Sequence, residues 1–177
     1  MNKKNIFIGS AIGLLLIAAF TSCRSIPKGA LALKPFDIKK YLGTWYEIAR
    51  FDFRFEKNLN NTTAEYSLNE NGTIKVVNRG YNYKTGKWKQ VVGKAKFVAD
   101  PQEAKLKVSF FGPFYAGYNV LAIDPEYKYA LIAGKNLKYL WLLSRDKTMP
   151  EKFKEDYLRI AKNIGFNVSN LIWIEQK

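Results

Sequence analysis

"WKQVVGKAKFVADPQEAKLKVSFF", Trp88 to Phe111, contains two runs of the same pattern. Gly93, Ala95 and Phe97 in the first run, and Leu106, Val108 and Phe110 in the second, are small or apolar, while Lys94, Lys96, Lys105 and Lys107 fill alternate positions. Successive side chains of a strand point to opposite faces, so a period of two puts the lysines on one side and the apolar groups on the other. Asp100-Pro101 between the runs is turn chemistry. The stretch therefore reads as an antiparallel pair with one wet face and one dry face.

Working outward, the same pattern predicts strands over 44–51, 62–68, 73–80, 88–98, 104–110, 118–123, 128–134 and 139–144. Their separators are turn formers: Asn71-Gly72, Gly86, and Asp-Pro pairs at Asp100 and Asp124. Short links between consecutive strands favour an up-and-down meander. A sandwich satisfies the spacing equally well; it is the alternation that argues for closure. One set of alternate positions holds Tyr66, Asn78, Phe110, Tyr118 and Trp141 together with Val76, Leu106, Val120, Ala122 and Leu143, and it contains no lysine or arginine. A closed wall needs such a one-sided apolar face, and eight strands enclose room for one small ligand. Parity also places Glu47 inside near the floor, with no evident partner.

Past the last of these strands, "TMPEKFKEDYLRIAKNIGF" reads as a helix, with Thr148 and Glu151 as a capping box, Pro150 in the first turn and Gly165 at the stop. Its stripe of Phe153, Tyr157, Ile160, Ala161 and Ile164 suits packing on the outside of the barrel. "LIWIEQ" is a short final strand. The predicted fold is all-β: an eight-stranded antiparallel up-and-down barrel with one C-terminal α-helix packed outside and a short final strand.

The 177 residues are 47% hydrophobic and 25% charged, which suits one folded domain, and the 15% aromatic content is high. The chain starts with a basic "MNKKN", an apolar run of 15 residues from Ile6 to Phe20, and Cys23, its one cysteine. That run is short of the ~20 residues of a spanning helix. It resembles a bacterial lipoprotein signal, in which the cysteine becomes the first mature residue and carries lipid. The expected organisation is a signal peptide at 1–22, a lipidated tether at 23–34 and a folded domain at 35–177. The net charge of +14 falls to +12 without Lys3 and Lys4. A lipid-anchored protein does not meet the genome, so the charge points to an acidic membrane surface and not to nucleic acid. With no histidine and its one cysteine taken by lipid, the chain lacks imidazole catalysis, imidazole metal ligands and a thiol nucleophile. No enzyme, metal or cofactor is expected.

Three stretches then resemble one family. "GTWYEIAR", with Gly43 and Trp45, is similar to the lipocalin Gly-x-Trp signature. "LAIDPEYKYALI" retains Asp124 and Tyr127 of the second signature, with Ile123 where threonine is usual, and "YLWLLSR", ending on Arg145, matches the third. The resemblance is closest to bacterial outer-membrane lipocalins related to apolipoprotein D, and it runs from about Phe36 to the end. It implies a barrel closed at one end that binds small hydrophobic ligands, fatty acids or lysophospholipids, for storage, transport or repair of envelope lipids. It implies stacking of Arg145 on Trp45 at the closed floor, and ligand-binding positions at Tyr66, Asn78, Phe110, Tyr118 and Trp141. It also implies attachment to the outer membrane through Cys23, facing the periplasm. Arg24, in place of the aspartate that favours inner-membrane retention, agrees with that location.

Strand direction puts the loops after the first, third, fifth and seventh strands at the open end. Phe53, Arg54 and Phe55 in one, and Phe111, Phe114 and Tyr115 in another, are expected to crown the rim, suiting lipid uptake, membrane contact or a partner. An anionic head is expected near Arg50, Arg54, Lys57 and Arg79 at this rim. Monomer and homodimer are both compatible with the sequence. A different function, an envelope interaction module whose barrel is filled by its own side chains, fits the same pattern.

Overall fold

A computed structural model describes residues 25–177; the expected signal peptide and Cys23, the expected lipidation site, lie outside the described residues. The elements are α1 (Ile38–Tyr41), β1 (Gly43–Phe51), β2 (Leu59–Leu68), β3 (Ile74–Asn82), β4 (Lys87–Phe97), β5 (Lys105–Phe111), β6 (Phe114–Ile123), β7 (Tyr129–Ala133), β8 (Leu140–Ser144), α2 (Glu151–Ile164) and β9 (Leu171–Trp173). Neighbouring strands pair antiparallel from β2 through β8, and β1 closes the ring by pairing with both β8 and β2. Closure leaves no free edge in the lower half. In its upper half β1 parts from β2, and Ala49, Arg50 and Phe51 pair with β9 instead.

The eight expected strands are all present, and the largest difference in their ends is instructive. β6 begins at Phe114, not at residue 118, because Phe111 pairs with Phe114 across a tight turn in which Gly112 has φ 54°. The glycine and proline of this stretch suggest a loop; most of its aromatics belong to strand ends.

Two bulges decide which residues face inward. In β1 the register shifts between Glu47 and Ala49, so Glu47 and Arg50 share the inner face while Ile48 and Ala49 turn outward. In β6 it shifts between Val120 and Ala122, which sends Ala122 to the outer face and brings Ile123 in. Strict alternation placed Ala122 inside and kept arginine out of the interior; both are corrected here, since one extra residue inverts the parity beyond it.

The barrel has a core on each side of its wall. Inside, Trp45, Tyr66, Ile74, Val76, Leu106 and Val120 are buried. Outside, α2 covers β1, β7 and β8, with Tyr157 and Ala161 buried against Ile48, Leu131, Leu140 and Leu142. The capping box is not formed. Pro150 is the residue before the first helical turn and makes no side-chain cap, and the Thr148 carbonyl instead accepts from Ser144 Oγ at 2.7 Å. Gly165 ends the helix in the left-handed conformation, as expected.

Residues 25–34 run along the barrel wall, and Phe36 enters the inner core at the closed end. The Leu33 N–H donates to the Val120 carbonyl at 2.8 Å, the Leu33 carbonyl accepts from the Ala104 N–H at 2.9 Å, and Asn119 Nδ2 donates to the Ser25 carbonyl at 2.8 Å. The segment expected to act as a tether is therefore held to the barrel near both of its ends, at Ser25 and Leu33, while Lys28, Gly29 and Leu31 between them are exposed.

Candidate ligand-binding site

The floor is built from the three signature stretches. Gly43, at φ 94°, opens β1 and lets the chain pass Arg145, whose Nη1 lies 3.4 Å from where a Cβ would stand. The Arg145 guanidinium stacks 3.9 Å from the Trp45 ring centroid and donates to the carbonyls of Lys40, Leu42 and Thr44 at 2.8 Å each. Trp45 Nε1 donates to the Tyr41 carbonyl at 2.8 Å. In the β6–β7 turn the Asp124 carboxylate accepts from the N–H groups of Glu126, Lys128 and Tyr129, which holds Tyr127 at φ 57°. The Tyr127 hydroxyl then accepts from the Asp37 N–H at 2.9 Å. Gly43, Trp45, Asp124, Tyr127 and Arg145 thus form one structural unit at the closed end.

Above the floor, three tyrosine hydroxyls meet. Tyr118 is 2.6 Å from Tyr41 and 2.8 Å from Tyr66, oxygen to oxygen. Burial pushes all three hydroxyls above the usual tyrosine range, so they stay neutral donors and acceptors. Tyr66 is 6% exposed and belongs to the packed base, whereas Tyr118, Asn78, Phe110 and Trp141 are half-buried and line the space above it. The structure brings the five pocket positions to one interior but splits them by depth.

The upper interior is not purely apolar. Arg50, 1% exposed, is ion-paired with Glu47 and donates to the carbonyls of Glu56 at 2.6 Å and Leu59 at 3.1 Å. Thr62 Oγ1 donates to the same Glu47 carboxylate at 3.2 Å, so the residue left without a partner by parity has two. Glu56 Oε2 lies 3.7 Å from Arg50 Nε and accepts from Trp141 Nε1 at 3.3 Å. Burial, with the Glu47 charge second, pushes the Glu56 carboxyl up to about 8, so it is mostly protonated at neutral pH. Arg50 Nε and Asn78 Oδ1 are buried with no hydrogen-bond partner among the described residues. An orphan donor and an orphan acceptor favour a guest that brings polar atoms of its own. Arg50 is thus inside and not at the rim, and Glu56 was not singled out from sequence; the β1 bulge that aims Arg50 leaves no trace in residue periodicity.

The rim also differs in detail. Phe53 folds into the mouth, its ring edge-on to Tyr139 and Trp141 at 5.7 Å from each. Tyr115 does not crown the opening; it lies on the outer wall beneath Lys96 at 5.2 Å and Lys107 at 5.5 Å. Phe55, Phe111 and Phe114 are 68%, 62% and 79% exposed. Phe55 and Phe111 meet at 6.1 Å across the two loops, with Arg54 over Phe55. Beside them the β4–β5 ladder stops at Lys94, and a cleft of about 220 Å³ opens between Val92, Gly93, Phe110, Phe111 and Tyr115.

A closed eight-stranded meander with an arginine-on-tryptophan floor, an outer helix and an aromatic interior defines a lipocalin, and the chain belongs to that family: residues 36–176 match the lipocalin-like domain. Among similar proteins, the outer membrane lipoprotein Blc of Citrobacter freundii is 50% identical over 167 residues, covering 94% of each chain. Mouse apolipoprotein D is 36% identical over 150 residues, covering 80% of this chain and 77% of its own. Among solved structures, insecticyanin from the tobacco hornworm Manduca sexta superposes with a TM-score of 0.68 at 19% identity, covering 85% of this chain and 86% of that one, a likeness of fold.

Proposed function

We propose that this lipocalin is anchored to the outer membrane through lipid on Cys23, facing the periplasm, and binds single-chain amphiphiles, fatty acids or lysophospholipids, in the storage, transport or repair of envelope lipids. It acts by binding and not by catalysis. The observation that carries the ligand class is the order of chemistry with depth: a sealed tyrosine base, and above it half-buried aromatic walls in which an arginine–carboxylate cluster sits beside Trp141, with unpaired polar atoms on Arg50 and Asn78. An acyl chain gains by burial along the walls, at ~0.8 kcal/mol per methylene. A charged head cannot go to the base without a large desolvation cost, and the cluster near the mouth offers it partners. The names of the bacterial relatives as outer membrane lipoproteins support the location.

Trp141 reports on the pocket directly. Titration with fatty acids and lysophospholipids is expected to give saturable quenching of tryptophan emission, and native mass spectrometry to show co-purified lipid. Neither signal with any of them would rule the carrier function out. A self-filled barrel serving as an interaction module has one observation in its favour, the complete burial of the lower half by its own side chains. In that case Tyr118→Ala lowers stability and leaves ligand affinity unaltered; a carrier loses affinity as well. The same mass spectra report whether the protein is a homodimer.

A further inference from the structure

The N-terminal segment climbs the outer wall from floor to mouth. Its Phe36 N–H bonds to the Gln102 carbonyl in the β4–β5 turn at the closed end, and Leu33 joins Ala104 and Val120 just above. Ser25 is higher still. Its carbonyl packs against Gly117, 2.3 Å from where a Cβ would stand, and accepts from Asn119 beside Lys135 of the β7–β8 loop. A residue larger than glycine at 117 would push Ser25 off the wall.

Where Ser25 is pinned limits where an anchor on Cys23 can be. Gly117 is three residues from the open end of β6 at Phe114 and six from its closed end at Ile123. At ~3.4 Å per residue these are about 10 Å and about 20 Å along the strand. Cys23 is two Cα steps from Ser25, at most about 7.6 Å. The leash nearly spans the distance to the rim and covers well under half the distance to the floor.

Charge follows the same axis. The open-end loops 52–58, 83–86 and 134–139 carry Arg54, Lys57, Lys84, Lys135 and Lys138, all exposed, against one exposed carboxylate, Asp52. The closed end, with the turns 69–73, 98–104 and 124–128, the segment 145–147 and residues 34–40, is near balance: Asp37, Glu70, Asp100, Glu103, Asp124, Glu126 and Asp146 against Lys34, Lys39, Lys40, Lys128, Arg145 and Lys147. The exposed Phe55, Phe111 and Phe114 share the basic end. Aromatic rings between cations match the headgroup zone of an anionic bilayer.

We infer that the anchor holds the barrel mouth-down, with Phe55, Phe111, Phe114 and the basic loops around them seated on the headgroups of the bilayer that carries the lipid on Cys23. This rests on the lipid-anchored function proposed above. Amphiphiles then pass between bilayer and pocket without crossing water.

The test uses the mature lipidated protein in vesicles of phosphatidylethanolamine and phosphatidylglycerol. Acylation of Cys23 leaves no native thiol, so Lys57→Cys, Lys84→Cys, Asn71→Cys and Glu126→Cys can each carry one nitroxide. Flotation comes first: protein that stays unacylated and does not float refutes the anchor, and the orientation with it. For floated protein, labels at 57 and 84 are expected to collide more with oxygen than with a water-soluble nickel complex, and labels at 71 and 126 the reverse. Floor labels as close to the bilayer as rim labels would overturn the orientation while leaving the anchor intact. Phe55→Ser, Phe111→Ser and Phe114→Ser combined should lift the rim labels out, a several-fold drop in the oxygen-to-nickel ratio, with flotation unaltered; an unchanged ratio refutes the seating of these rings.

Discussion

Replacing Arg145 by alanine removes a side chain that ties the start of β1 to the end of β8 without touching the pocket. Its bonds to the carbonyls of Lys40 and Thr44 are exposed, and water can replace them at little cost. Those to Tyr41, Leu42 and Tyr127 are partly buried. At about 1 kcal/mol each, with about 1 kcal/mol more for the stack on Trp45, the loss comes to about 3–4 kcal/mol. For a domain of this size a kilocalorie shifts Tm by about 2–4 °C, so Arg145→Ala should melt about 6–16 °C below the parent by circular dichroism. Arg145→Lys keeps the charge but loses the planar stack and the fork of donors, and should recover about half of that difference. Amphiphile affinity, read by Trp141 quenching, should stay within about twofold in both variants, because the guanidinium lies beneath the base and not in the cavity. A Tm within about 2 °C of the parent, or a loss of affinity at unchanged Tm, would refute the role of Arg145 as the floor's clamp.

Tyr118→Phe leaves the hydroxyls of Tyr41 and Tyr66 without their shared partner in a buried base, which should cost about 1–3 kcal/mol in urea unfolding. Glu56 titrates at about 8 in the folded chain against 4.5 unfolded, so the folded state holds the extra proton between those values. Its contribution to stability is complete below about pH 4.5 and lost as pH rises towards 8; Glu56→Gln should flatten that slope, which for one group is at most about 1.4 kcal/mol per pH unit. Fatty-acid affinity should also fall between pH 7 and 9 as Glu56 becomes an anion beside the carboxylate head, and a rise in affinity there would contradict the placement of the head. Gly117→Val should unseat Ser25, making residues 26–34 sensitive to limited proteolysis while the barrel's circular dichroism is retained.

How far the sequence reaches can be judged residue by residue. The hairpin from Trp88 to Phe111 is legible because lysines and apolar groups alternate from Gly93 to Phe97 and from Lys105 to Val108, and β4 and β5 pair Ala95 with Val108 and Phe97 with Leu106 as that pattern requires. The helix stripe was legible for the same reason at its own period, and the floor through Gly43, Trp45, Asp124, Tyr127 and Arg145. The helix start was misjudged because a threonine and a glutamate at capping-box spacing do not say where the chain enters the first turn. Phe53 and Tyr115 were misplaced because loop side chains answer to the rings and cations they meet, not to a period.

By itself, the sequence determined the number and order of strands, the closed barrel, the outer helix and the apolar character of the interior, since each follows from which residues must leave water and at what spacing. Tertiary structure alone decided the chemistry of the mouth and the course of the N-terminal segment. The β1 bulge brings Arg50 in to meet Glu47 and Glu56, partners from a strand and a loop, and a gap above Gly117 admits the Ser25 carbonyl from far along the chain. Both depend on where separate segments meet in space, and a linear period of two carries no information about that.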